Sequence, residues 1–163
     1  MFQKNVLLAS LIILLISCNS VKKTQKAINS GNYDNAINKA VKKLRKDKMK
    51  EKNEPFILML EDSYKKATKR DVSKINFLKK ENTINSLEKV YRQYLILEKR
   101  QQKIKPLLPL VVNSKNKEAT FKFFDYSDDI IASKTKLTDR LYINAEESLK
   151  AAVTKVQFRN VYK

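Results

Sequence analysis

The sequence predicts an all-α protein, and three observations carry that reading. One glycine and three prolines in 163 residues are too few for the many tight turns of an all-β fold. Apolar residues recur three and four positions apart along most of the chain, the period of helices that bury one face. Hydrophobic residues make up 42% and charged residues 32%, enough apolar surface for one core in a chain too short for two cores of ordinary size.

The first twenty residues, MFQKNVLLASLIILLISCNS, carry a positive charge at Lys4, an apolar run from Val6 to Ile16 and a small residue at Ser17. That is the three-part layout of an export signal. A spanning helix needs roughly 20 apolar residues, and Cys18, Asn19, Ser20 and two lysines follow this shorter run directly. Residues 15–18 read LISC, which resembles the lipobox of bacterial lipoproteins. The resemblance implies cleavage between Ser17 and Cys18, a diacylglyceryl group on the Cys18 thiol and fatty acylation, such as palmitate, of the new amino terminus. Cys18 is the only cysteine and stands at the end of the apolar run, where chance placement is improbable. Buried acyl chains contribute about 0.8 kcal/mol per methylene, so two or three hold a protein on a membrane where one binds marginally. The expected organisation is a signal peptide over 1–17, a lipidated tether over 18–23 and a helical repeat-like domain over 24–163. The expected location is the cell envelope. Residues 19–23, NSVKK, contain no acid, which points to the periplasmic side of the outer membrane, because surface-export signals in related bacteria resemble acidic patches at that place.

Beyond the tether, residues 24–30 are read as a short helix ended by Gly31, since a lone glycine between helical patterns marks a C-cap turn. From Tyr33, apolar or small residues fall at 33, 36, 37, 40, 41 and 44, the stripe of an amphipathic helix. The segment GNYDNAINKAVKKL, residues 31–44, is similar to the second half of a tetratricopeptide repeat. Gly31, Tyr33, Ala36, Ala40 and Leu44 match that family's packing positions. Lys43 and Lys48 depart from it, standing where a small residue and a helix-ending proline are common. The resemblance implies antiparallel helix pairs in a tetratricopeptide-like array. Thr68 stands 37 residues after Gly31, near the family period of about 34, so residues 55–80 are read as a degenerate second repeat. The segment from about 20 to 149 also looks like the N-terminal region of tetratricopeptide-like lipoproteins of Bacteroidetes. Those proteins run longer, which implies that the present chain corresponds to a truncated relative.

Pro55 is placed as the first residue of an apolar helix through Phe56–Leu60, Tyr64 and Ala67. Asp71 is read as the cap of a shorter helix carrying Val72, Ile75 and Leu78. Asn82 or Thr83 caps the next helix, with Ile84, Leu87, Val90, Tyr91, Tyr94, Leu95 and Leu97 on its apolar face and Pro106 and Pro109 behind it. Residues 110–124 fit either a small β-hairpin or an extended loop, with Phe121 and Phe123 alternating with lysine as strand residues do. Ser127, Asp128 and Asp129 start a long helix whose apolar pattern runs from Ile130 to Leu149 and resumes through Val156 and Val161.

Lys plus Arg is 35 against 17 for Asp plus Glu, a net charge of +18. Removing residues 1–17 takes away Lys4 alone and leaves +17. The excess is mostly lysine, without the arginine forks that favour geometric phosphate recognition. Both a solvated lysine surface and a functional basic face remain open, and the exported location argues against nucleic acid. The chain has no histidine, and Cys18 is committed to lipid, so the usual proton shuttle, thiol chemistry and commonest metal ligand are missing. The pairs Asp128/Asp129 and Glu146/Glu147 are adjacent in sequence, and neighbours on a helix point about 100° apart. No catalytic, cofactor or metal residues are therefore assigned. The aromatic and lysine-rich stretch Lys117–Tyr126 is the candidate exposed binding feature. The expected function is that of a lipid-anchored, non-enzymatic scaffold for an envelope protein; the alternative is a basic binder of anionic envelope lipids or polysaccharides.

Overall fold

The computed structural model describes residues 19–161; Ser17, Cys18 and the expected signal segment lie outside them. The fold is all-α with packed helices, apart from one two-stranded ladder. The chain divides into two compact units. Unit 1 comprises the described residues up to Arg70 together with Arg100–Phe123, and unit 2 comprises Asp71–Lys99 and the residues from Phe124 onward. No helix among the described residues is long and apolar enough to cross a membrane.

In unit 1, helix α1 covers residues 19–29, so the stretch expected as a tether, 19–23, is helical. The turn that follows is a Schellman motif: the Asn32 amide donates to the Ala27 carbonyl at 2.8 Å and the Gly31 amide to Ile28 at 3.0 Å. Gly31 has φ +73°, a left-handed conformation that a Cβ penalises. Helix α2, Tyr33–Leu44, is capped by the Asn32 side chain, which accepts the Asn35 amide at 3.3 Å. Ala36, Ile37, Ala40, Val41 and Leu44 are buried, as their spacing predicts. They join one core with Ala27 and Ile28 of α1 and with Phe56, Ile57, Leu60, Tyr64 and Ala67 of helix α3, Glu54–Glu81.

Lys48, placed where a helix-ending proline would be common, instead reaches across the unit. Its ammonium donates to the carbonyls of Leu107 at 2.9 Å and Pro109 at 3.1 Å. Strands β1, Val111–Val112, and β2, Lys117–Glu118, pair antiparallel, with Val111 opposite Glu118. The hairpin therefore forms, but it ends before the phenylalanines. Phe121 and Phe123 belong to no strand; their rings pack edge-on against Tyr64 at 5.6 and 5.7 Å.

Three further expectations are corrected. Helix α3 runs unbroken for 28 residues, so Asp71 caps nothing and is buried at mid-helix. No glycine or proline lies between Phe56 and Glu81, and one aspartate costs a helix less than about 0.7 kcal/mol, too little to break it. Without a turn there, residues 55–80 do not form a second helix pair. Helix α4, Ile84–Ile104, buries Leu87, Val90, Tyr94 and Leu97 but exposes Leu95. Its C-terminal part buries Arg100, Gln101 and Ile104.

Unit 2 has a smaller core of Ile75, Leu78, Val90, Tyr94, Leu97 and Tyr126, with Ile130 packed against it. Asn82, at φ +50°, ends α3, and Thr83 caps α4 through reciprocal bonds with Ser86: its Oγ1 accepts the Ser86 amide at 3.1 Å, and its own amide donates to the Ser86 hydroxyl at 2.9 Å. That is a capping box with serine in the acidic position. Helix α5, Ser127–Ala151, starts with Asp128 and Asp129 in its first turn, as the macrodipole favours. Helix α6, Lys155–Val161, closes the described chain.

Candidate functional site

The most unusual surface of the molecule lies on α5 and α6. A soluble helix of 25 residues normally buries a stripe, because isolated helices gain most of their stability from tertiary packing. No residue of α5 is buried. Ile131 and Tyr142 are each 64% exposed, and Leu141, Ile143 and Leu149 are exposed as well. At 100° per residue the intervals from Ile131 to Tyr142 and from Tyr142 to Leu149 return each side chain to the same face. Val153, Val156 and Phe158 extend the apolar surface beyond α5, with Val153 85% exposed. A cleft of about 620 Å³ opens between the two helices, lined by Leu141, Ala145, Ala151 and Val161 together with Asn144 and Gln157.

The charges on this helix differ from those of the chain. Asp128, Asp129, Asp139, Glu146 and Glu147 slightly outnumber Lys134, Lys136, Arg140 and Lys150, in a protein of net charge +18. The Tyr142 hydroxyl donates to Glu146 at 3.0 Å; that bond to a carboxylate, followed by its charge, raises the tyrosine above its ordinary pKa. Nearer the unit 2 core, a smaller cavity is lined by Leu87, Val90, Tyr94, Asp129 and Lys136. The Tyr94 hydroxyl accepts from Lys79 at 2.8 Å, and burial raises its pKa.

The packing residues read from the repeat resemblance converge in unit 1. Ala36 and Ala40 are fully buried, Leu44 nearly so, and Tyr33 is partly covered, while Gly31 supplies the turn. They build the core and open no pocket. The stretch Lys117–Tyr126 does not present its aromatics as a group. Ala119 and Tyr126 are buried and Phe121 and Phe123 are partly covered, so Phe124 alone among its phenylalanines is exposed. This corrects the reading of that stretch as an exposed binding feature, because Tyr64 offers the rings a better-packed site than water does. Glu146 and Glu147 are exposed, and among the described residues no three His, Cys, Asp or Glu side chains converge as a metal site would require.

A charged cluster that sequence reading missed stands at the start of α2. Asp34 accepts two bonds from Arg100, at 2.8 and 3.1 Å, and one from Arg70 at 2.9 Å. Arg100 is 3% exposed and Asp34 about half exposed. Desolvation pushes the Asp34 carboxyl up, but the hydrogen bonds and charges of Arg70 and Arg100 together outweigh it and hold the pKa below the ordinary 3.8. The Arg70 guanidinium also lies 5.6 Å from the Tyr33 ring centre. The partners are 36 and 66 residues apart, beyond the reach of any local sequence signal. At the start of α3, the Ser114 hydroxyl donates to Glu54 at 2.6 Å, and that bond lowers the Glu54 pKa.

No protein-family model, curated protein or solved structure matches this chain.

Proposed function

We propose that the protein is a lipid-anchored envelope protein that works as a non-enzymatic interaction scaffold, held by acyl chains on Cys18 and engaging a partner protein through the apolar face of α5 and α6. The observation that supports this best is the run of uncovered side chains at Ile131, Leu141, Tyr142, Leu149, Val153, Val156 and Phe158. Exposed apolar surface concentrated on one helix marks an interaction site, whereas single exposed apolar residues do not. An amphipathic helix presenting anchors one and two turns apart is a common form of protein recognition. The charge balance of α5 favours a protein over an anionic polymer on this face, because polyanion binding depends on an excess of cations. The anchor rests on the LISC segment and the position of the single cysteine.

Two measurements test the reading. Cys18→Ser should abolish incorporation of a clickable palmitate analogue in cells and leave the signal uncleaved; unchanged incorporation would exclude the anchor. Cross-linking in intact envelopes, followed by a high-salt wash, should recover a small set of proteins with the wild-type chain and lose them with Tyr142→Glu/Leu149→Glu. Identical recovery with both chains would remove α5 from the binding surface.

A further inference from the structure

The polar face of α2 and the start of α1 form a second feature that the scaffold reading leaves unused. Lys39, Lys42 and Lys43 stand at i, i+3 and i+4, which places them on one side of α2, and Lys46 follows in the turn just beyond the helix end. With Lys23 and Ser20 of α1 they line a groove of about 340 Å³, space on the order of ten water molecules. No carboxylate lines this groove, and among the described residues none of its five lysines is ion-paired. The Lys39 ammonium donates one bond to the Lys23 carbonyl at 3.4 Å, which ties the lysine row of α2 to α1. Five cations held around one concavity repel each other at a cost that an anion bound among them would relieve.

The position of the groove matters as much as its charge. Ser20, in its lining, is two residues from Cys18, and two residues span at most about 7 Å. An acyl group on Cys18 would therefore hold the near edge of the groove within about one Debye length of the headgroup plane, roughly 8–10 Å at physiological salt. Within that distance the negative surface potential of anionic lipids still acts on lysines, having fallen to about a third of its surface value at one Debye length.

We infer that the Lys23, Lys39, Lys42, Lys43 and Lys46 groove is a membrane-facing cradle for the phosphates of anionic lipid headgroups, and that it fixes the orientation of the anchored protein. The inference rests on the anchored reading for its geometry, though not for the chemistry of the groove. A single anchored point leaves a protein free to swivel. A second, electrostatic contact beside it lays α1 and α2 against the bilayer. Lysine suits this role because a mobile point charge neutralises many headgroup arrangements without selecting one geometry.

Flotation of the full chain tests it, with phosphatidylcholine vesicles compared with vesicles containing about one third phosphatidylglycerol, at low and at physiological salt. Every variant keeps the same N-terminal segment, so its contribution cancels. Each lysine near an anionic surface is worth about fivefold in affinity. Lys39→Gln/Lys42→Gln/Lys43→Gln/Lys46→Gln should therefore lower binding to the anionic vesicles by roughly several hundredfold and leave the neutral vesicles unaffected. Replacing the same four lysines by arginine should retain binding, which separates loss of charge from loss of fold. A control with four exposed lysines elsewhere, Lys65, Lys69, Lys74 and Lys89, changed to glutamine should stay within about twofold of the wild type, because those positions lie outside the groove. Equal losses in the two glutamine variants would reduce the effect to net charge and overturn the assignment; so would no loss in either. Thermal stabilisation by millimolar inorganic phosphate that depends on the groove lysines, without any vesicle preference, would make a soluble phosphate the ligand and overturn the membrane assignment. Palmitate incorporation at Cys18, measured on the same variants, separates the two proposals. Acylation with no groove effect removes the cradle alone, and a groove effect without acylation removes the anchor alone.

Discussion

Unit 1 and unit 2 use similar helices to opposite ends. Among the described residues, the unit 1 core holds eighteen buried apolar side chains, drawn from α1, α2, α3, the end of α4 and the β-hairpin. The unit 2 core holds six, and none comes from the body of α5. Helical pattern alone does not separate them: α2 and α5 both carry apolar residues three and four apart, yet α2 is covered and α5 is not. An amphipathic pattern marks the face a helix would bury and leaves open what covers it. In unit 1 the cover is the protein itself. No residue of α5 is buried, and that uncovered face in the unit with the smaller core is what the proposed scaffold role rests on.

The comparison yields a graded set of tests, read by urea denaturation followed by circular dichroism. Phe56 is 1% exposed in the unit 1 core, and Phe56→Ala should cost about 3–5 kcal/mol through lost burial and the cavity left behind. A loss below about 1 kcal/mol would mean that the unit 1 core is far looser than its burial indicates.

Asp34→Asn should cost about 1–2 kcal/mol at neutral pH, the value of charge-assisted hydrogen bonds discounted for a half-exposed carboxylate. The cost should depend on pH. The folded carboxyl titrates below its ordinary 3.8, so the stability it contributes is fully present above that value and is lost as pH falls through the folded pKa. Wild type and Asp34→Asn should converge in acid, and a constant gap down to acid pH would show that the charge of Asp34 is irrelevant.

Gly31→Ala should cost about 1–2 kcal/mol through backbone strain alone, because φ is +73° and a Cβ there would meet nothing within 4 Å. A neutral result would mean that the α1–α2 turn relaxes to another conformation.

The smallest effect sharpens the comparison most. Leu149 is exposed, and Leu149→Ala should change stability by less than about 0.5 kcal/mol. A loss of core size would mean that the α5 face is covered in solution, and its dependence on protein concentration would tell whether a second copy is the cover.

Sequence reading was most successful where local chemistry decides structure. The Gly31 turn, the Ala36/Ala40/Leu44 stripe, the acidic start of α5 and the stop of α4 ahead of Pro106 all follow from residues within a few positions of one another. It failed where a residue has two roles of similar energy. Asp71 is a fair N-cap and an acceptable mid-helix residue, and its buried surroundings settled the choice in favour of an unbroken α3. Phe121 and Phe123 suit a strand or a packed loop equally well, and Tyr64 settled that.

The candidate surfaces divide in the same way. The lysine row of α2 is visible in the sequence as a polar helix face, but its junction with Lys23 and Ser20 needs α1 folded beside it. The meeting of Asp34 with Arg70 and Arg100 likewise depends on bringing three helices together. The sequence by itself determined the helical class, the short turns and the single cysteine behind an apolar run, because propensity, capping and composition act over a few residues. Only the tertiary structure decided which amphipathic faces are covered, which charges meet and which apolar helix stays open, because those depend on contacts between residues far apart in the chain.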